Sequence, residues 1–423
     1  MNLENLAKKI LHDNDQGGYT VPTKGLYPFQ WFWDSGFTAL GFATYDEPRA
    51  FAELEFLLRG QWANGMIPHI VFHQFDAGYF PGPDVWATDK IARLQENAPV
   101  SSGITQPPVL GFVLRHLLEK AKDTALAENK VRTMLPAVLA FHRWLHTHRD
   151  PDGTGMTAIV HPWEAGTDNS PQWDEALARV PIVDLPAYKR RDTSHVDSSQ
   201  RPLQSDYDRY LSLVMRFRNL GYDPQQVLED NPFRIANVIF NAILLRSDQD
   251  LLVLAKRFNV DTTELETWIK RGQRGLQALW NEQAGAFWSF DLVTQSQIPV
   301  TTSSSFVPLF AGAATRQQAA RLAAHLEQWG QQVRYLVPST DPNHVAYEPR
   351  RYWRGPVWAV VNWMIAQGLE QYGYTSLAKR VQDDTKSLIK AYGFDEYWHP
   401  ETGEGLGGGN FTWTAAIWLL LCA

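Results

Sequence analysis

Residues 356–369, PVWAVVNWMIAQGL, and residues 376–392, SLAKRVQDDTKSLIKAY, are near neighbours that obey different rules. The first is apolar nearly all round and opens on a proline, a residue suited to the first turn of a helix. The second keeps its apolar residues to one stripe and its charges to the rest, the pattern of a helix with one face in solvent. A helix that is apolar on every side has to be buried, so the pair reads as one inner and one outer helix. The same alternation runs outward along the chain. Segments 35–45, 107–118, 232–245 and 412–421 resemble the first, and proline lies near the expected start of three of the five inner segments. Segments 51–60, 126–146, 265–280 and 316–329 resemble the second. Strand-like alternation is scarce and the helices do not repeat in sequence. An all-α (α/α)6 barrel, or toroid, produces this order.

In such a barrel the loops that feed the inner helices meet at one mouth. Two stretches, 61–102 and 161–204, are rich in Pro, Gly, Asp and aromatic residues and too long for simple connections. They are expected to be ordered insertions that cap the mouth of a single catalytic domain spanning residues 1–423.

The 423 residues are 44% hydrophobic and 20% charged, ordinary globular values that supply a large core. A net charge of −7 and a sequence pI near 6.0 leave no basic field for nucleic acid or an anionic membrane. No apolar run of about eighteen residues exists to span a bilayer. At the N-terminus Leu6, Ile10 and Leu11 alternate with Lys8, Lys9 and Asp13, which reads as an amphipathic surface helix and not a signal segment. Cys422 is the only cysteine, so no intrachain disulfide forms, and a reducing cytoplasm is the expected setting. The sequence leaves a homo-oligomer open.

The unusual number is 17 tryptophans. Several stand in polar company: Trp31 and Trp33 beside Asp34, Trp163 beside Glu164, Trp353 beside Arg354. Indoles stack on the C–H faces of sugar rings while neighbouring carboxylates and amides bind hydroxyls, so these loops together point to carbohydrate. Segment 161–174, HPWEAGTDNSPQWD, sets Glu164, Asp168 and Asp174 among indoles. A carboxyl walled by indoles has the raised pKa that a proton donor needs. Asp174 and the nearby Asp184 read instead as helix-capping acids. Segment 395–413, DEYWHPETGEGLGGGNFTW, holds a second group of acids beside a glycine run that lets backbone pass close to a ligand. No strand precedes those glycines, so they are not a nucleotide-binding loop.

These two segments resemble glycoside hydrolase family 63, most closely its compact branch of mannosylglycerate and glucosylglycerate hydrolases. The proton-donor motif of that family matches residues 164–171 and implies Asp168 as general acid. Its base motif matches residues 396–403 and implies Glu396 as general base. Residues 27–35, YPFQWFWDS, resemble the family's sugar grip, with Tyr27, Trp31 and Asp34 as contacts. Residues 352–358, YWRGPVW, resemble the opposite sugar wall, with Tyr352, Trp353 and Trp358, and Gln106 occupies the place of a sugar-binding glutamine. The resemblance further implies that Tyr79, Arg201 and Tyr207 hold a glycerate; a guanidinium between phenols suits a small hydroxy-carboxylate. An ordinary ion pair from Arg201 to Asp206 or Asp208 is the alternative. The match does not extend securely to Asn410 and Phe411.

Members of this family invert the anomeric centre, which asks for carboxyl groups about 6.5–9.5 Å apart with a water beside the base. The implied activity is hydrolysis of a hexosyl-carboxylate to hexose and glycerate, with a small sugar as partner and neither metal nor organic cofactor. The pair His69 and His73, and the group His142, His146 and His148, have ligand-like spacing but lack the rest of a zinc motif and read as packing or surface residues. Competing readings are a hydrolase of other small α-glucosides, an epimerase or isomerase using His69, His73, His161 and His399, and a non-catalytic sugar-binding protein.

Overall fold

In the computed structural model, which describes residues 2–92 and 94–423, six inner helices stand in a closed ring. They are Phe32–Ala43, Leu110–Lys120, Val238–Phe258, the 3-10 helix Ser303–Leu309, Ala359–Gln371 and Thr412–Cys422, each packed on the next and the last on the first. Six outer helices alternate with them: Leu3–Asp13, Glu47–Leu58, Thr124–His148, Thr263–Ala278, Arg316–Trp329 and Thr375–Tyr392. This is the (α/α)6 barrel. The amphipathic N-terminal segment is its first outer helix, burying Ala7, Ile10 and Leu11 against the last inner one.

Composition explains the layering. Helix Thr412–Cys422 buries Trp413, Ile417, Trp418 and Leu419, and no charge interrupts it. Each such side chain removed from water contributes about 1.5–3 kcal/mol, which no solvent-facing position could recover. Where inner helices nearly touch, side chains vanish: a Cβ on Gly111 would stand 2.4 Å from the carbonyl oxygen of Ser247 on the neighbouring helix.

The fourth inner helix escaped the sequence pattern because three serines open it. Its burial is made tolerable by a capping box between Thr302 and Ser305. The prolines expected at helix starts also stand further back, with Pro356 three residues ahead of Ala359. The reason is a competing bond, for Val357 is held extended against Trp398, and its carbonyl, which a helix would use, accepts the Trp398 N–H at 3.1 Å. Segment 232–245 corresponds to helix Val238–Phe258, which begins only after strand Ile235–Ala236. Asn237 caps it by accepting from the Phe240 N–H at 3.1 Å. All strands are two residues long, and the largest sheet runs antiparallel in the order Ala158–Ile159, Ile235–Ala236, Phe290–Asp291, Ser296–Gln297.

His73, His142, His146 and His161 are absorbed by packing. His142 and His146 both grip the buried Asp248, at 2.7 and 2.9 Å, between an outer and an inner helix. His73 bonds Gln30, and His161 reaches the Tyr210 carbonyl at 3.0 Å.

Candidate active site

The ends of the inner helices enclose a cavity of about 930 Å3, its open mouth included. Asp168, Glu396, Tyr27, Trp31, Asp34, Tyr79, Gln106, Arg201, Tyr207, Tyr352 and Trp353 all line it. Trp358 does not. It stacks flat behind Trp353, with ring centroids 3.7 Å apart and planes at 3°, and so stiffens that wall from the far side.

Asp168 sits on a turn pinned from three directions. The Tyr210 hydroxyl and the Trp173 indole donate to the Asp168 and Thr167 carbonyls, both at 2.9 Å, and Asn169 accepts the Trp353 N–H at 2.8 Å. Glu164, buried, anchors the loop by accepting from Val160 N, Thr105 N and the Arg149 guanidinium. Burial, then repulsion from Glu396, pushes the Asp168 carboxyl up to about 8. It therefore carries its proton at neutral pH.

Glu396 has the opposite environment. One oxygen accepts from Arg201 at 2.8 Å and from the Gly408 N–H at 3.0 Å; the other accepts from the Tyr27 and Tyr352 hydroxyls at 3.1 and 3.4 Å. Four donors converge on this carboxyl group. The glycine run thus passes close to the base, and Gly407, at φ +73°, has no room for a side chain: a Cβ would lie 2.4 Å from the Glu396 carboxylate.

Arg201 takes neither partner expected from its sequence neighbours, Asp206 and Asp208. It bonds Glu396 and the Tyr27 hydroxyl, both at 2.8 Å, with arginine and glutamate each 1% exposed. Burial opposes the arginine's charge, but Glu396 and the phenols of Tyr27, Tyr397 and Tyr352 hold it well above its usual value. Arg201 is also near enough to Asp168 to oppose the rise of that carboxyl, so the cation lies between the two acids in its electrostatic effect.

On the remaining wall, Asp34 opens helix Phe32–Ala43 and is raised well above the usual carboxylate range by burial and then by Glu396. The Gln106 side-chain oxygen accepts the Trp33 N–H at 3.1 Å, which turns its NH2 end toward the cavity. Tyr79 packs edge-on against Phe29 and Trp31, and Tyr207 donates to the Phe80 carbonyl at 3.3 Å. Asp174 lies away from the cavity, paired at two points with Arg354. Asn410 and Phe411 are also off the cavity wall; Asn410 receives Asn14, and Phe411 packs on Trp413.

The cavity also contains residues outside the expected site, among them Trp33, His69, Trp163, Arg191, Asp192 and Trp413. Trp33 and Trp163 adjoin the acids Asp34 and Glu164, a signal already present in the sequence, whereas Trp413 follows the glycine run. Arg191 and Asp192 lie in insertion 161–204, and Arg191 meets Asp76 of insertion 61–102 at 2.8 Å. His399 caps the turn at Glu401.

Comparison with known proteins gives the family of the chain. Residues 27–414 match the family model described as the mannosylglycerate hydrolase MGH1-like glycoside hydrolase domain. The chain is 50% identical to the mannosylglycerate hydrolase of Thermus thermophilus, over 97% of this chain and 98% of that one. It is 37% identical to the glucosylglycerate hydrolase of Mycolicibacterium hassiacum, over 97% and 95%. A crystal structure of the family 63 mannosylglycerate hydrolase of Thermus thermophilus with Tris and D-glycerate superposes with a TM-score of 0.96 at 49% identity, covering all of both chains. The protein is a glycoside hydrolase and belongs to the mannosylglycerate hydrolase MGH1-like branch of glycoside hydrolase family 63.

Proposed function

We propose that this enzyme hydrolyses a small hexosyl-carboxylate, mannosylglycerate or glucosylglycerate, with inversion at the anomeric carbon. Asp168 gives its proton to the glycerate oxygen as the C1–O bond breaks. Glu396 takes a proton from the water that forms the new C1–O bond on the opposite face. The observation that carries this reading is the contrast between the two acids: Asp168 is held protonated to about pH 8, while Glu396 accepts four hydrogen bonds. Such divergent environments are how paired carboxyls divide acid from base work.

The hexose would lie against Trp31, Asp34, Gln106, Tyr352 and Trp353, with Trp358 as the rigid backing of the last and Tyr27 completing the grip beside the base. The glycerate would meet Tyr79, Tyr207 and the Arg201 guanidinium. Because Arg201 already serves Glu396, the substrate carboxylate and the base share one cation. Residues 61–102 and 161–204, linked at the rim by Asp76 and Arg191, would close over the bound substrate and exclude water within a single catalytic unit.

The test compares hexosyl-glycerate with its uncharged hexosyl-glycerol analogue in the parent and in Arg201→Ala. The parent should favour the charged compound. The variant should lose turnover on both, since the base loses its partner, and lose a further amount worth about 2–5 kcal/mol on the charged one alone. Equal losses on both would remove Arg201 from glycerate recognition. A parent indifferent to the charge would overturn the hexosyl-carboxylate assignment.

A further inference from the structure

His69 lines the cavity, yet it takes no part in the chemistry assigned to Asp168 and Glu396. Its backbone is tied to the catalytic frame, since its N–H donates to the Ile104 carbonyl at 2.8 Å. Its carbonyl accepts from Phe32 at 3.0 Å, where the helix bearing Asp34 begins. The ring is 4% exposed and lies nearly parallel to Trp163, with centroids 5.9 Å apart and planes at 18°. A side chain so confined has one orientation to offer a ligand.

That orientation has a defined hydrogen-bonding sense. His69 Nδ1 lies 2.7 Å from the Ser102 hydroxyl, which also accepts the Ile70 N–H at 3.0 Å. Among the described residues, Nδ1 is the only acceptor within reach of the Ser102 proton. Donation from serine fills the Nδ1 lone pair and puts the imidazole proton on Nε2. No described residue pairs with Nε2, which is not sealed off in the core as are the unpartnered ring nitrogens of His142 and His146. Burial, and secondarily His161, keeps the ring well below its usual pKa, so it is neutral at pH 7; with Nδ1 filled by Ser102 and the proton on Nε2, neither nitrogen has a free lone pair to act as the base of an epimerase.

We propose that His69 is a specificity-determining residue, its Nε2–H donating to one hydroxyl oxygen of the substrate with the tautomer set by Ser102. A site built to bond a particular hydroxyl rejects the analogue that lacks or misplaces it, because the buried donor is then left unpaired. This residue is accordingly placed to discriminate between hexosyl substrates that differ in the position or configuration of a hydroxyl. The inference rests on the hexosyl-carboxylate reading above.

The experiment is a coupling measurement. Hexosyl-glycerates lacking one hydroxyl at a time are assayed for kcat/KM with the parent, His69→Ala, His69→Gln and Ser102→Ala, and thermal melting verifies that each variant is folded. In the parent, removing the contacted hydroxyl should cost about tenfold to a hundredfold. In His69→Ala that same removal should cost nothing further, while the penalties at other positions stay as they were. Ser102→Ala should shrink the penalty at that one hydroxyl and no other. If His69→Ala fails to fold, His69→Gln carries the comparison, with substrate binding to the Asp168→Asn form as a second readout. Deoxy penalties that are the same in parent and variants overturn the proposal. A parent that cleaves no hexosyl-carboxylate instead overturns the reading it rests on, and the same scan on whichever α-glycoside it does cleave still decides the role of His69.

Discussion

Asp168→Asn should make the protein more stable, and more so as pH rises. In the folded chain this carboxyl keeps its proton to about pH 8, whereas in an unfolded chain it ionises from 3.8 upward. Between those values the native state binds one more proton than the unfolded state, so stability falls with rising pH by about 1.4 kcal/mol per unit. Over the full interval the acid costs the fold up to about 6 kcal/mol. The group is partly exposed to the cavity, and water there reduces the figure to about 3–4 kcal/mol. Asparagine titrates nowhere and carries none of this penalty. With an unfolding entropy of about 2 cal/mol/K per residue, the melting temperature at pH 8 should rise by about 3–4 °C, against about 1–2 °C at pH 5. Scanning calorimetry of both forms at the two pH values supplies the comparison. A gain that is the same at pH 5 and pH 8, or a variant less stable at pH 8, would refute the claim that burial and Glu396 hold the proton on Asp168.

The same ionisation should appear in catalysis: kcat/KM of the parent should fall about tenfold per pH unit above about 8, where Asp168 loses its proton. A rate that holds level to pH 10 would exclude it as the acid. Gly407→Ala should reduce kcat by at least about a hundredfold, because its Cβ would strike the Glu396 carboxylate from a backbone conformation that alanine disfavours. Retention of activity would mean that Glu396 need not hold its observed position.

The barrel was legible because burial imposes itself on sequence without detail: segment 316–329 of the sequence is helix Arg316–Trp329 of the structure. What stayed hidden were cases where a local bond outweighed the pattern. Val357 spends its carbonyl on the Trp398 N–H and so stays out of the helix that its sequence suggests, and Ser303–Leu309 hides an inner helix behind hydroxyls satisfied by capping. The candidate site divides in the same way. Asp168 and Glu396 stand in dense local motifs and could be picked out from sequence. The Arg201–Glu396 pair joins residues 195 positions apart, and nothing in the insertion indicated that its arginine would reach the base and not an aspartate beside it. His69 looked like packing because the serine that orients it, Ser102, lies 33 residues downstream on a different segment.

If Glu396 activates water and forms no bond to the sugar, hydrolysis inverts the anomeric centre. Proton NMR during the first moments of hydrolysis tests this most directly, by identifying the anomer released from an α-hexosyl-glycerate before mutarotation. β-Hexose should appear first, with the α-anomer growing in later. Release of the α-anomer first would require a covalent glycosyl-enzyme or another retaining route, and would contradict the assignment of Asp168 as acid and Glu396 as base.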